Sequence, residues 1–251
     1  MSGRTIGGQG TEMRHLTQQD EQGTQVVPVH APVSAGSDID RAWRVADATV
    51  GAVFRLGFRF RYVGGEHIPA QGGALLAYNH VSVLDPIAVA MATSRRRRSV
   101  HFLAVADVFD RPVLGWVLRA TRQIPLRRGM GDWKAIQEVA GAIRAGALGG
   151  MSPEGTVGDG SVIQPGQKGA ARIALSARAP VIPIGVWGTQ YRWPKDGPRL
   201  GPPLRPVVVV VVGPPIAPEG DPRSKPDVRA MTDRIMAGVA EAAMEARARH
   251  G

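Results

Sequence analysis

Cysteine is absent from the 251 residues. Its absence excludes disulfides, thiolate metal sites and a cysteine nucleophile, and suits a reducing, cytoplasmic setting. Aromatic residues are scarce, at 5%. No ribonucleoprotein-type or zinc-finger pattern accompanies them, which argues against nucleic acid as a partner. No apolar run approaches the roughly 18 residues needed to cross a bilayer. The opening stretch MSGRTIGGQGTEMRHLTQQDEQGTQ lacks an apolar centre, so it is not expected to be a secretory signal. The histidines are scattered without ligand spacing, so no metal is expected, and no Gly-rich loop has nucleotide-binding form. Acidic residues are also in deficit, 21 against 31 Lys plus Arg, a net charge of +10. That excess predicts an anionic partner: a membrane surface or a phosphorylated substrate.

Among the residues present, YNHVSVLDP at 78–86 stands out. Five positions along a regular helix turn through about 140°, so His80 and Asp85 would diverge on one. They can cooperate only if the chain turns between them. The residues before His80, from Gly73, read as a short buried strand, and Pro86 suits the first position of a helix. Asp85 is then the expected N-cap, because the residue before proline is pushed out of the helical region. A loop between strand end and helix start would fold histidine and aspartate together. The plainer reading is a capping aspartate beside a core histidine.

Residues 1–36 are rich in Gly, Gln and Thr and are expected to be a mobile tail. Residues 37–251 are expected to form one folded domain. Ser37 and Asp40 have the spacing of a capping box. They precede an amphipathic helix, within 37–57, whose Trp43, Val50 and Phe54 recur at helical spacing. The interleaved arginines allow that helix either to pack on the core or to lie in a membrane interface. The run Arg95-Arg96-Arg97-Arg98 is read as a solvated helix end, or as a contact for acidic headgroups.

Strands and helices then alternate. Strands are expected at 58–62, 73–80, 100–105, 123–126, 149–152, 181–187 and 207–212, the last being six consecutive valines. Helices are expected at 86–94, 112–121, 133–145, 168–177 and from Ser224 onward. The pattern predicts an α/β fold: a mainly parallel or mixed central sheet flanked by helices on both faces, preceded by the amphipathic N-terminal helix. Pro183 within Val181–Gly185 is expected on an edge strand or at a bulge.

Three further stretches join His80 and Asp85: Ile124-Pro125-Leu126-Arg127-Arg128-Gly129, Ser152-Pro153-Glu154-Gly155-Thr156, and the apolar strand around Pro183. Together these four blocks resemble, in order, those of the glycerolipid acyltransferases of bacterial 1-acylglycerol-3-phosphate type. The resemblance covers roughly residues 60–190. Ser152 and Val157 depart from it, standing where an aromatic and a basic residue are usual.

The resemblance implies acyl transfer from a thioester, acyl-CoA or acyl carrier protein, to the free hydroxyl of a lysophospholipid, 1-acylglycerol 3-phosphate. It implies no cofactor beyond that co-substrate. Phosphatidic acid for phospholipid synthesis would be the product, made by a peripheral protein on the anionic inner face of the cell membrane. His80 would take the hydroxyl proton, and Asp85 would hold the imidazole. Arg128, Glu154, Gly155 and Thr156 would bind substrate, with Arg127 and Lys168 as further phosphate or donor contacts. Ser82 is read as a loop hydrogen-bonding residue rather than a nucleophile. The altered Ser152 and Val157 leave glycerol 3-phosphate or another lysolipid as alternative acceptors. A non-catalytic protein of anionic membranes would explain the charge but not His80 and Asp85.

Overall fold

Six valines in a row cannot be divided between a wet and a dry face, so the strand they form needs cover on both. The computed structural model describes residues 41–126 and 133–251, and it gives Val207–Val212 that cover. Residues 1–36, Ser37, Asp40, Arg127 and Arg128 lie outside the described residues.

In chain order the elements are α1 Arg41–Gly57, β1 Arg59–Val63, β2 Ala74–Tyr78, α2 Asp85–Ser94, β3 Val100–Val105, α3 Pro112–Ala120 and β4 Ile124–Leu126. They continue with α4 Trp133–Arg144, β5 Leu148–Met151, α5 Gly169–Ala177, β6 Val181–Trp187, β7 Val207–Val212 and α6 Lys225–Ala248. The strands form one seven-stranded sheet in the order β1-β7-β6-β2-β5-β3-β4. From β6 to β4 all neighbours are parallel; β7 runs antiparallel to β6, and β1 is parallel to β7. The sheet is therefore mixed.

Alternation along each strand assigns the two faces. Leu76 and Tyr78 of β2 pack with Trp43 and Phe54 of α1 and with Ala88, Val89 and Met91 of α2. Leu75 and Ala77 point the other way, toward Ile136 and Val139 of α4, Ile173 of α5 and Ile235 of α6. On β7, Val208, Val210 and Val212 join the first cluster, while Val209 and Val211 meet Ala242 and Ala246 of α6. Helix α6 lies so close to β6 that a Cβ on Gly185 would come within 2.0 Å of the Ala242 carbonyl oxygen. Its entry is fixed by Ser224, whose Oγ accepts the Asp227 N–H at 3.3 Å.

The structure changes several expectations. Strand β6 is interior, not an edge. The register slips by one residue between Gly213, which donates to the Pro183 carbonyl, and Ile216, which bridges Val181. That slip is a bulge at Pro214-Pro215, and it removes the ladder partner that the Pro183 nitrogen could not serve. The arginine run is also not uniformly solvated. Arg98 is buried and donates to the carbonyls of Pro69, Gly72 and Gly146 at 2.7, 2.8 and 2.7 Å. Helix α1 packs Trp43 and Phe54 inward, yet also turns Val45, Val53 and Leu56 outward, at 58, 68 and 75% exposure. Among the described residues no helix is long and apolar enough to cross a membrane.

Candidate active site

Strands β2, β5 and β6 are parallel, so they end on the same rim of the sheet. In open α/β sheets this carboxyl rim is where ligands bind. His80 follows β2 there by two residues. The intervening Asn79 is buried, and its side chain replaces a peptide pair: Oδ1 accepts the Val186 N–H at 2.7 Å and Nδ2 donates to the Val186 carbonyl at 3.0 Å.

From His80 the chain turns back on itself into α2. Asp85 is the first helical residue, and the N-cap position belongs to Leu84, without a side-chain cap. The Asp85 carboxylate does not serve the helix, as the Asp-Pro pair suggested. It faces backward, and Oδ2 accepts the backbone N–H groups of Val81 at 2.7 Å and Ser82 at 2.8 Å. The same oxygen lies 3.0 Å from His80 Nδ1. Oδ1 accepts the Thr189 hydroxyl at 2.5 Å.

Asp85 is completely buried, whereas the His80 side chain keeps 19% exposure. An ionised carboxylate only accepts, so Nδ1 must carry the hydrogen and the lone pair is left on Nε2. Nε2 has no protein partner among the described residues. The result is an imidazole oriented through Nδ1, with Nε2 left open.

Glu154 follows β5 and is also buried. Its Oε1 accepts the His80 backbone N–H and its Oε2 that of Gln164, both at 2.8 Å. The His80 carbonyl accepts the Gly158 N–H at 2.7 Å, so the 155–167 loop is sewn to the histidine from both sides. Both carboxylate oxygens are thus engaged by backbone, one at His80 and one at Gln164. Burial pushes its acid above the usual carboxylate range, against the pull of the two N–H donors and His80.

Gly155 has a left-handed φ of 68°, and its N–H closes a turn onto the Ser152 carbonyl at 3.3 Å. Thr156 is exposed beside it, and Lys168 is exposed at the start of α5. Arg127 and Arg128 directly follow β4, outside the described residues. Ser82 is fully buried; its Oγ donates to the Trp193 carbonyl at 2.6 Å and accepts the Leu84 N–H at 3.1 Å, which leaves it no role as a nucleophile. Among the described residues no three His, Asp or Glu side chains gather in a way that could hold a metal ion.

The profile described as Acyltransferase matches residues 59–187, just over half of the chain. The chain belongs to the acyltransferase family. Its fold is similar to that of the 1-acyl-sn-glycerophosphate acyltransferase PlsC from Thermotoga maritima, with a TM-score of 0.60 and 23% identity, over 79% of this chain and 78% of that one. An uncharacterised protein of Mycobacterium leprae is 28% identical over 56% of this chain and 40% of its own length. A chloroplastic 1-acyl-sn-glycerol-3-phosphate acyltransferase of Brassica napus is 29% identical over 50% of this chain and 36% of its own. The chain therefore spans well under half the length of these curated relatives.

In this acyltransferase-family chain, sequence reasoning missed Asn79, Thr189 and Gln164. Thr189 lies 104 residues from Asp85, and nothing local marks it except Gly188, whose φ of 106° and whose Cβ position 1.9 Å from the Val207 carbonyl exclude a side chain. That glycine lets β6 turn sharply enough to deliver the hydroxyl.

Glu154→Gln tests the clamp. A glutamine presents an NH₂ to one of the two backbone donors, leaving that N–H unsatisfied, and about 1–3 kcal/mol of stability should be lost. The pH trend has a fixed sign. A native acid raised above its unfolded value holds its proton longer than the unfolded chain does, so wild-type stability falls as pH rises between the two values. Glu154→Gln should lack that fall. Denaturant unfolding across the acid range measures both effects.

Proposed function

We propose that the chain is a 1-acylglycerol-3-phosphate O-acyltransferase using His80 as general base. The observation that carries this reading is His80 Nδ1 held 3.0 Å from the buried Asp85, with Nε2 left open. The acceptor oxygen attacks the thioester carbonyl carbon while its proton passes to His80 Nε2. The C–S bond of the tetrahedral intermediate then breaks, and the imidazolium returns that proton to the leaving sulfur. An ester and a free thiol result, and His80 ends neutral. Asp85 stabilises the transient imidazolium, while Thr189 and the Val81 and Ser82 N–H groups hold Asp85.

In this reading the acceptor's phosphate meets Arg128, aided by Arg127, Lys168 and Thr156, because guanidinium forks pair with phosphate oxygens. The donor is acyl-CoA or acyl carrier protein. The net charge of +10 and the outward Val45, Val53 and Leu56 of α1 support work on an anionic membrane, at the cytoplasmic face. Ser152 and Val157, which depart from the family's usual residues, leave glycerol 3-phosphate or another lysolipid as acceptors to be compared.

The test is thiol release by purified chain over a matrix of donors and acceptors. Free thiol should appear only when a fatty acyl thioester and lysophosphatidate are both present. Release without an acceptor, or with none of the pairs, would overturn the reading.

A further inference from the structure

A second site lies away from the catalytic rim network, between the end of α1, the edge strand β1 and α2. It is an open pocket of about 430 Å³, rimmed by Arg55, Arg59, Arg95 and Arg205. All four arginines are exposed. Among the described residues none is paired with a carboxylate. The floor is apolar, formed by Phe58, Phe60 and Tyr62 with Met91.

Four like charges around one hollow repel one another, and exposed arginines ordinarily drift apart into solvent. Here two of them are held. Arg205 Nη2 donates to the carbonyls of Arg55 at 2.7 Å and Phe58 at 3.3 Å, closing the end of α1. The Arg95 guanidinium lies 4.9 Å over the Tyr62 ring. The rest of their donor forks remain available. Burial raises the Tyr62 phenol to about 12, although Arg95 and Arg55 pull it down and Asp47 adds to the rise. It is therefore a neutral O–H at physiological pH, and no anion from the floor cancels the rim.

We propose that this pocket binds a phosphomonoester lipid, its doubly charged head among the four guanidiniums and its first chain carbons on the Phe58–Phe60–Tyr62 floor. Guanidinium forks take phosphate oxygens in pairs, and a terminal phosphate offers more free oxygens and charge than a diester. A phosphate ion would use the rim but leave the aromatic floor unfilled. A choline head would bring a further cation among four guanidiniums, which outnumber the nearby Asp47 carboxylate. The pocket is separate from the base: none of its lining residues joins the His80–Asp85–Glu154–Thr189 network. Helix α2 carries Asp85 at its start and ends before Arg95, which sets those two about 15 Å apart along its axis. The proposal does not depend on the acyl-transfer reading.

The test uses the purified full chain without donor and dihexanoyl phosphatidate below micelle-forming concentrations. That lipid has no free acceptor hydroxyl, so occupancy is separated from turnover. Arginines are modified with phenylglyoxal and mapped by mass spectrometry, while affinity is measured by calorimetry. Phosphatidate should protect Arg55, Arg59, Arg95 and Arg205, and dihexanoyl phosphatidylcholine should not. Arg59→Gln/Arg95→Gln, which alters two exposed side chains, should weaken phosphatidate binding about tenfold or more. Protection confined to other arginines, or undiminished affinity in the double variant, would sink the site. Equal protection by inorganic phosphate at the same concentration would reduce it to an ion site and overturn the lipid assignment. Thiol release is scored separately, so an inactive chain that still protects these four residues keeps this site and loses only the catalytic proposal.

Discussion

Replacing His80 with alanine should lower acyl transfer about 10²–10⁴-fold, the usual contribution of a positioned general base. The chain should stay folded. The imidazole is partly exposed, and its side-chain bond to Asp85 is one of several that the carboxylate receives. Without it, Oδ2 retains the N–H groups of Val81 and Ser82. The turnover number should fall more than the Michaelis constant changes, because the lost interaction belongs to the transition state. A His80→Ala chain with native unfolding midpoint and undiminished thiol release would remove the base from the mechanism.

Asp85→Asn should be as severe for catalysis and worse for the fold. The carboxylate presents only acceptors to the His80 ring, two backbone N–H groups and the Thr189 hydroxyl. An amide must turn its NH₂ toward one side. Facing Oδ2's partners, it leaves two buried N–H donors unsatisfied and forces the wrong tautomer on His80. Facing Thr189, it reverses that hydroxyl's role. The comparable change in a serine protease triad lowers turnover about 10⁴-fold. The stability loss should be about 1–3 kcal/mol for each buried donor left without a partner. Because the two residues act as a unit, His80→Ala/Asp85→Asn should be no slower than the slower single variant. Multiplying losses in the double variant would show that Asp85 serves catalysis by some route other than the imidazole.

Much of the sheet was readable because its strands carry local marks. Val181–Trp187 and Val207–Val212 run between Pro or Gly signals with β-branched residues on both faces. The turn at 80–85 was readable from a proline that starts a helix. What Asp85 does inside that turn was not. Helix capping is a local competition, and here the N–H groups of Val81 and Ser82, together with His80 and a hydroxyl from a distant segment, claim the carboxylate first. Asn79 and Thr189 were hidden for the same reason. Their partners, Val186 and Asp85, are 107 and 104 residues away, and no periodicity encodes such a meeting. Pro183 was read as an edge or bulge residue; only tertiary pairing could show that it is interior with a bulge opposite. The position of Glu154 was legible by motif, but its two bonds to the backbone were not.

The amide of Asn79 has a last consequence. By bonding both the N–H and the carbonyl of Val186, it extends the pairing of β2 with β6 by one residue past the formal end of β2. The imidazole begins immediately beyond that seam, so it inherits the rigidity of the core rather than the looseness of a surface loop. Thermal wandering of the imidazole is thereby tied to loosening of the sheet itself, and His80 should hold its aim until the protein starts to melt.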